Sequence, residues 1–176
     1  MNERSLHKQV GELMEEERWR EAIVLCQSAA TSAMTPEVRW NWAWAHFKLD
    51  EFSAARFHFE KILDQQPEHP ATLFGLGVVL QKLGIPASAK QFLKRALELK
   101  DLSAARLSLA LLFMEEGDLD SAEQVHLEGL KLKPESVERI QAYADFLSDA
   151  GREEEAAIQY SRCQYSGSKE VGPGIQ

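Results

Sequence analysis

The sequence has few features that would place the chain in a membrane or on nucleic acid. No apolar run approaches the ~20 residues that a helix needs to span a bilayer. The N-terminal stretch MNERSLHKQVGEL contains no hydrophobic signal core. The net charge of −8 favours solubility and disfavours nonspecific binding to DNA, RNA or anionic lipid. We therefore expect a cytoplasmic protein with no nucleic-acid partner and no membrane insertion.

The sequence also lacks the motifs of common catalytic and metal-binding sites. Its 5 histidines form neither an HExxH motif nor a Cys/His pair at ligand spacing. It contains no nucleophile elbow, P-loop or dinucleotide-binding fingerprint. We expect His46 and His126 to be packed and neutral, and the acidic runs Glu15–Glu17 and Glu153–Glu155 to be solvated charges. From the sequence we therefore expect no catalytic residue, no bound metal and no cofactor. We also expect that the protein is not an enzyme.

What the sequence does contain is a pattern of paired amphipathic helices, clearest between Pro70 and Lys100. Apolar and small residues recur there at the three-and-four spacing of one helical face. Gly84 ends the first helix, and Pro86 opens the second, where its missing N–H costs least. Gly77 and Ala89 are both small, which predicts a close approach of the two helices. Such a hairpin cannot bury its outer apolar face alone.

Similar hairpins precede and follow this one at intervals of 33 or 34 residues. Three sets of positions keep this interval over five units. The first-helix positions are Val10, Ala43, Gly77, Ala110 and Ala144. The second-helix positions are Ala22, Ala55, Ala89, Ala122 and Ala156. The turn positions are Glu17, Asp50, Gly84, Gly117 and Gly151.

This repeat resembles the tetratricopeptide repeat (TPR) family in its period and its small-residue signature. The resemblance implies an all-α fold, a TPR-type α-solenoid (a right-handed superhelix) of about ten antiparallel helices. We expect one five-repeat domain over residues 3–165 and a flexible C-terminal tail over residues 166–176. The repeats are expected at 3–35, 36–69, 70–102, 103–136 and 137–165. Cys26 and Cys163, on the first and fifth repeats, would be small buried residues too far apart for a disulfide.

The resemblance also implies a partner-binding groove lined by fixed positions of the first helices. Trp40, Trp44 and Phe47 share one face of their helix by four-and-three spacing, and Gly75 is expected to leave a recess beside Phe74. Gln81 and Ser108 occupy groove positions as well, while Glu115, Glu138, Asp145 and Asp149 would make one end acidic. The predicted partner-binding residues are Trp40, Asn41, Trp44, Phe47, Lys48, Phe74, Val78, Lys82, Leu107, Leu111 and Met114. In the alternative interpretation, Trp40 and Trp44 bury themselves between adjacent hairpins and nothing binds there.

The functional expectation from this resemblance is a protein–protein interaction scaffold or adaptor that binds a peptide or helix of a partner. Alternatives are a self-associating structural TPR module (a possible homo-oligomer), a chaperone of the secretion type, and a cytoskeletal adaptor like kinesin light chains. One sub-type is excluded. Co-chaperone TPR domains hold a C-terminal carboxylate with Lys and Asn, but His7 and Gly11 stand at those positions in the first repeat.

Overall fold

The structure is a computed structural model that describes residues 3–29 and 34–169, with side chains described for 4–29 and 34–164. These residues form ten helices and no strand, which confirms the predicted all-α fold. The chain divides into two compact units, Met1–Asp101 and Leu102–Gln176, each described separately below. The division falls one residue before the expected end of the third repeat.

Unit 1 consists of three helical hairpins. Its helices are α1 (Glu3–Glu15), α2 (Trp19–Ser28), α3 (Pro36–Lys48), α4 (Phe52–Leu63), α5 (Pro70–Lys82) and α6 (Pro86–Leu99). Each helix packs on its neighbours in sequence, and α3 also contacts α1 and α5. The first helices of the three hairpins therefore lie side by side and form one continuous surface of this unit.

Unit 2 consists of two hairpins built in the same way. Its helices are α7 (Ser103–Glu115), α8 (Leu119–Leu132), α9 (Val137–Asp149) and α10 (Glu153–Lys169). Each of them packs on the next along the chain. The last helix continues into the segment expected as a flexible tail, and the rest of that segment, residues 170–176, lies outside the described residues.

All five hairpin turns have the same backbone conformation. The predicted turn residues Glu17, Asp50, Gly84, Gly117 and Gly151 have positive φ values of 57, 58, 73, 78 and 75°. After each of them, the next N–H donates to a carbonyl five residues back, at 2.8–3.0 Å, as in Ile85 to Leu80. This is the Schellman ending of a helix, in which a left-handed residue reverses the chain. Glycine accepts that conformation without strain, whereas Glu17 and Asp50 carry a side chain there.

The two sets of small residues in the repeat lie at the contacts inside the hairpins. Every alanine in both sets is at most 1% exposed. Gly77 shows why these positions must stay small. A Cβ built on it would lie 2.8 Å from Leu93 Cγ and 3.3 Å from the Ala89 carbonyl oxygen. The predicted close approach of α5 and α6 at Gly77 and Ala89 is therefore present.

The buried histidines are part of the core, as expected for His46 and His126. His46, His58 and His126 are 7%, 6% and 8% exposed. His58 stacks on Trp42 with ring centroids 4.0 Å apart. Burial, aided by neighbouring positive charge, lowers the pKa of His58 and of His126 to about 4. Of the cysteines, Cys26 is buried and Cys163 is half-buried rather than buried, and both are free thiols.

The contact at Gly77 predicts opposite effects for two identical substitutions. Gly77→Ala should lower the free energy of unfolding by ~1–3 kcal/mol, because the added methyl group meets the fully buried Leu93. Gly11→Ala, in the middle of α1, meets nothing within 4 Å and should raise stability by about 1 kcal/mol through helix propensity. Urea denaturation measures both. A stabilised Gly77→Ala variant would show that the helices do not meet there.

The lowered pKa values of His58 and His126 predict a loss of stability in mild acid. The unfolded chain binds protons on these imidazoles below a pKa of about 6.5, whereas folded His58 stays neutral down to about 4. Stability should therefore fall as the pH drops from 6.5 towards 4. His58→Phe should lose less unfolding free energy than the wild type between pH 7 and pH 5, measured by urea denaturation. His7→Gln, at an exposed side chain, is the control. An identical loss in His58→Phe would contradict this assignment.

Candidate partner-binding surfaces

Four large aromatic side chains of unit 1 form a cluster that we call the aromatic surface: Trp40, Trp44 and Phe47 on α3 and Phe74 on α5. All four are half-buried. The Trp44 ring lies 5.6 Å from Trp40, 5.1 Å from Phe47 and 6.2 Å from Phe74, measured between ring centroids. Trp44 is therefore the centre of the cluster. The four-and-three spacing predicted this shared face of α3, and α5 adds Phe74 from the next hairpin.

Trp44 also connects the aromatic surface to the core. Its ring packs edge-on against Phe59 of α4, at 5.6 Å, and Phe59 is fully buried. The sequence offered two interpretations of these tryptophans, an open groove or a filling between hairpins. The structure places Trp44 in an intermediate position, with one side of its ring against the core and part of its surface accessible.

The recess expected beside Phe74 is absent, and this prediction was wrong. A Cβ built on Gly75 would lie 2.7 Å from Phe59 Cζ, so the Phe59 ring fills the space that the glycine leaves. Gly75 serves a close contact between α4 and α5 instead. The aromatic surface is consequently formed by the rings themselves and not by a hole beside them.

Trp42, two residues from both Trp40 and Trp44, packs in the opposite direction. It stacks on His58 and joins the core cluster of Leu6, Val10 and Cys26. Its indole N–H, like those of Trp40 and Trp44, is buried and has no hydrogen-bond partner among the described residues. Trp42 therefore belongs to the structural core of the first two hairpins, whereas Trp40 and Trp44 face the predicted binding side.

The remaining predicted residues of unit 1 surround the aromatic surface. Lys48 is exposed, with its Nζ 5.8 Å from the centre of the Trp19 ring. Lys82 is exposed, and Val78 is half-buried. Asn41 lines a pocket of about 260 Å³ together with Trp40, His7, Glu37, His69 and Thr72. Sequence reasoning did not assign a pocket there, because its polar lining comes from three different helices and the loop before α5.

Unit 2 contains a second pocket of about 330 Å³, which we call the acidic pocket. One wall is apolar and consists of the predicted α7 residues Leu107, Leu111 and Met114. The other wall belongs to α9 and combines Ala142 and Phe146 with three exposed carboxylates, Glu138, Asp145 and Asp149. His126 of α8 also lines the pocket.

The charged side chains that line the acidic pocket are all carboxylates. Asp145 Oδ1 accepts a hydrogen bond of 2.7 Å from the Tyr160 hydroxyl, and this contact raises the pKa of Tyr160 to about 12. None of the three carboxylates of this pocket, Glu138, Asp145 and Asp149, forms a salt bridge with another described residue. The His126 ring likewise makes no hydrogen bond to the described part of the chain, although it is only 8% exposed.

The described residues bring together no group of three or more His, Cys, Asp or Glu side chains that could hold a metal ion. None of the described helices is both long enough and apolar enough to cross a membrane. The two candidate sites are thus the aromatic surface of unit 1 and the acidic pocket of unit 2.

Comparisons with known proteins agree with this architecture. The tetratricopeptide repeat family profile matches residues 46–112. Among solved structures, the chain is similar to a thermophilic TPR protein, TTC0263, from Thermus thermophilus. That similarity has a TM-score of 0.72 at 21% identity, over 96% of this chain and 93% of the other.

The chain is also similar to residues 41 to the end of MamA from Desulfovibrio magneticus RS-1, with a TM-score of 0.75 at 17% identity over 97% of both chains. A third similar structure is a TPR protein from Parabacteroides merdae, with a TM-score of 0.76 at 21% identity, over 92% of this chain and 64% of the other. No curated protein matches the sequence. The repeat positions, the helical hairpins and the family match over residues 46–112 together show that the chain has a TPR-type helical-repeat fold.

Proposed function

We propose that this chain is a protein–protein interaction module that binds a peptide or helical segment of a partner protein. The observation that carries the proposal is the aromatic surface, in which Trp44 and the three large rings around it remain partly accessible. Rigid aromatic side chains that pre-exist in one arrangement are typical anchors of binding energy, because little side-chain entropy is lost when a partner packs on them. The module acts by binding and not by catalysis.

The proposed binding residues in unit 1 combine these anchors with polar groups. Trp40, Trp44, Phe47, Phe74 and Val78 would contact the apolar side chains of the partner. Asn41, Lys48 and Lys82 would fix its direction, since charged groups at the edge of an interface select orientation more than they add affinity. In unit 2 the corresponding residues are Leu107, Leu111 and Met114, which form the apolar wall of the acidic pocket.

A test of the anchors needs a probe and a variant that leaves the core intact. The probe is the set of peptides that the full chain enriches from a random twelve-residue display library. Trp40 is a better target than Trp44, because its ring contacts one other aromatic ring whereas that of Trp44 contacts four. Phe57, an exposed aromatic residue of α4, provides a matched control outside the aromatic surface.

Among the enriched peptides, we expect Trp40→Ala to weaken the class that carries Asp or Glu beside its apolar residues by about 2 kcal/mol, or roughly thirtyfold. Phe57→Ala should leave the affinity unchanged. Fluorescence anisotropy measures affinity, and urea denaturation confirms that both variants fold. Unchanged peptide affinity in Trp40→Ala would contradict the proposal.

Light scattering over a range of concentrations completes the test. A dimer that Trp40→Ala dissociates would assign the aromatic surface to self-association instead.

The lysines make a separate prediction about charge. Lys48→Glu combined with Lys82→Glu should weaken enriched peptides that carry Asp or Glu beside their apolar residues, by about tenfold at low salt and less at high salt. The control is Arg20→Glu with Lys100→Glu, two exposed positions of the same unit that change the net charge equally. Anisotropy titrations at two salt concentrations measure both variants. Equal weakening in the control pair would show that only overall charge matters.

A further inference from the structure

We propose that the acidic pocket of unit 2 binds a protein segment in which a large apolar side chain stands next to Lys or Arg. This inference rests on the proposed function, because it names the chemistry of a segment that the module recognises. Its evidence is separate, since the acidic pocket lies within unit 2 and shares no residue with the aromatic surface.

The apolar wall of the acidic pocket identifies one half of the ligand. Leu107 and Leu111 are 39% and 51% exposed, although they occupy the same helix face as the half-buried Met114. Large apolar side chains with this much exposed area beside a concave surface indicate an interaction site. The pocket volume of about 330 Å³ lies at the lower end of the range for small-ligand sites and suits one or two side chains. Met114 can adapt to different shapes of such a side chain.

The carboxylates on the opposite wall identify the other half. Glu138, Asp145 and Asp149 project from one face of α9, seven and four residues apart. With a rise of about 1.5 Å per residue, they line roughly 16 Å of the helix. Because no described cation pairs with any of them, a Lys or Arg would bind there without displacing another partner. An extended segment of about five residues would span the three carboxylates.

His126 supplies an independent sign that the acidic pocket takes a polar group as well. Its ring is more than nine-tenths buried, lines the pocket and makes no hydrogen bond to a described residue. Neutral imidazole has one donor and one acceptor nitrogen, and neither nitrogen of His126 is hydrogen-bonded within the described residues. A backbone amide of the bound segment could supply the missing hydrogen bond. The apolar wall, the three carboxylates without a cationic partner among the described residues, and the imidazole without a hydrogen bond to them fit a peptide better than a purely apolar ligand.

The experiment uses the full chain and the random twelve-residue display library. We expect the wild type to enrich peptides with Lys or Arg next to Leu, Ile, Phe or Met. The variant Glu138→Gln, Asp145→Asn, Asp149→Asn should fail to enrich this class and should bind its members at least tenfold more weakly. An asparagine at position 145 can still accept the Tyr160 hydrogen bond, so the contact of α9 with α10 is preserved. Urea denaturation verifies folding of the variant.

The matched control is Asp120→Asn, Glu135→Gln, Glu154→Gln, which removes three exposed carboxylates elsewhere in unit 2. It should bind the basic peptides within twofold of the wild type. Equal weakening by both triple variants would overturn the inference, because net charge alone would then explain binding. If all the peptides that the wild type enriches lack Lys and Arg, the inference is overturned as well, but the proposed function stays intact. If the wild type enriches no peptide at all, the proposed function fails together with the inference.

Discussion

The close contact between the two helices of each hairpin constrains the rest of this structure. The contact depends on small buried residues, such as Gly77 and Ala89, which bring the helix axes together. Once these faces are buried inside the hairpin, the opposite face of each first helix is the one left to form a surface. On α3 and α7 that face carries the aromatic surface and the apolar wall of the acidic pocket. The packing inside the hairpin therefore determines which residues a partner can reach.

The hairpins and their turns could be predicted from the sequence because both depend on local chemistry. Small residues at a fixed interval require a close contact wherever they recur. The turn positions were also predictable, although Glu17 and Asp50 hold the left-handed conformation without being glycine. The repeat spacing identified them where composition alone would not. The ring contacts along α3 followed from helical periodicity in the same way, since Trp40, Trp44 and Phe47 are neighbours on one helix.

Contacts between hairpins could not be predicted, because they depend on which side chain a neighbouring helix presents. Gly75 illustrates this point. A missing side chain predicts a recess only if nothing else fills it, and Phe59 of the preceding helix does. His126 is a second example. Its place in the repeat predicted a packed side chain, which is correct, but the pocket that it lines is created by α7 and α9 together. Periodicity identifies the face of a helix and not the shape that two faces enclose.

Under the proposed function, both candidate sites would combine affinity and selectivity in the same way. In each, apolar side chains would supply contact area, and that contribution alone would discriminate weakly among partners of similar size. The charges differ in sign: exposed Lys48 and Lys82 lie near the aromatic surface, and three carboxylates line the acidic pocket. Selectivity is a difference between affinities, and a like charge brought against either surface lowers the affinity of the wrong partner. Under the proposed function, the three carboxylates would lower the affinity for acidic segments that the apolar wall alone would accept.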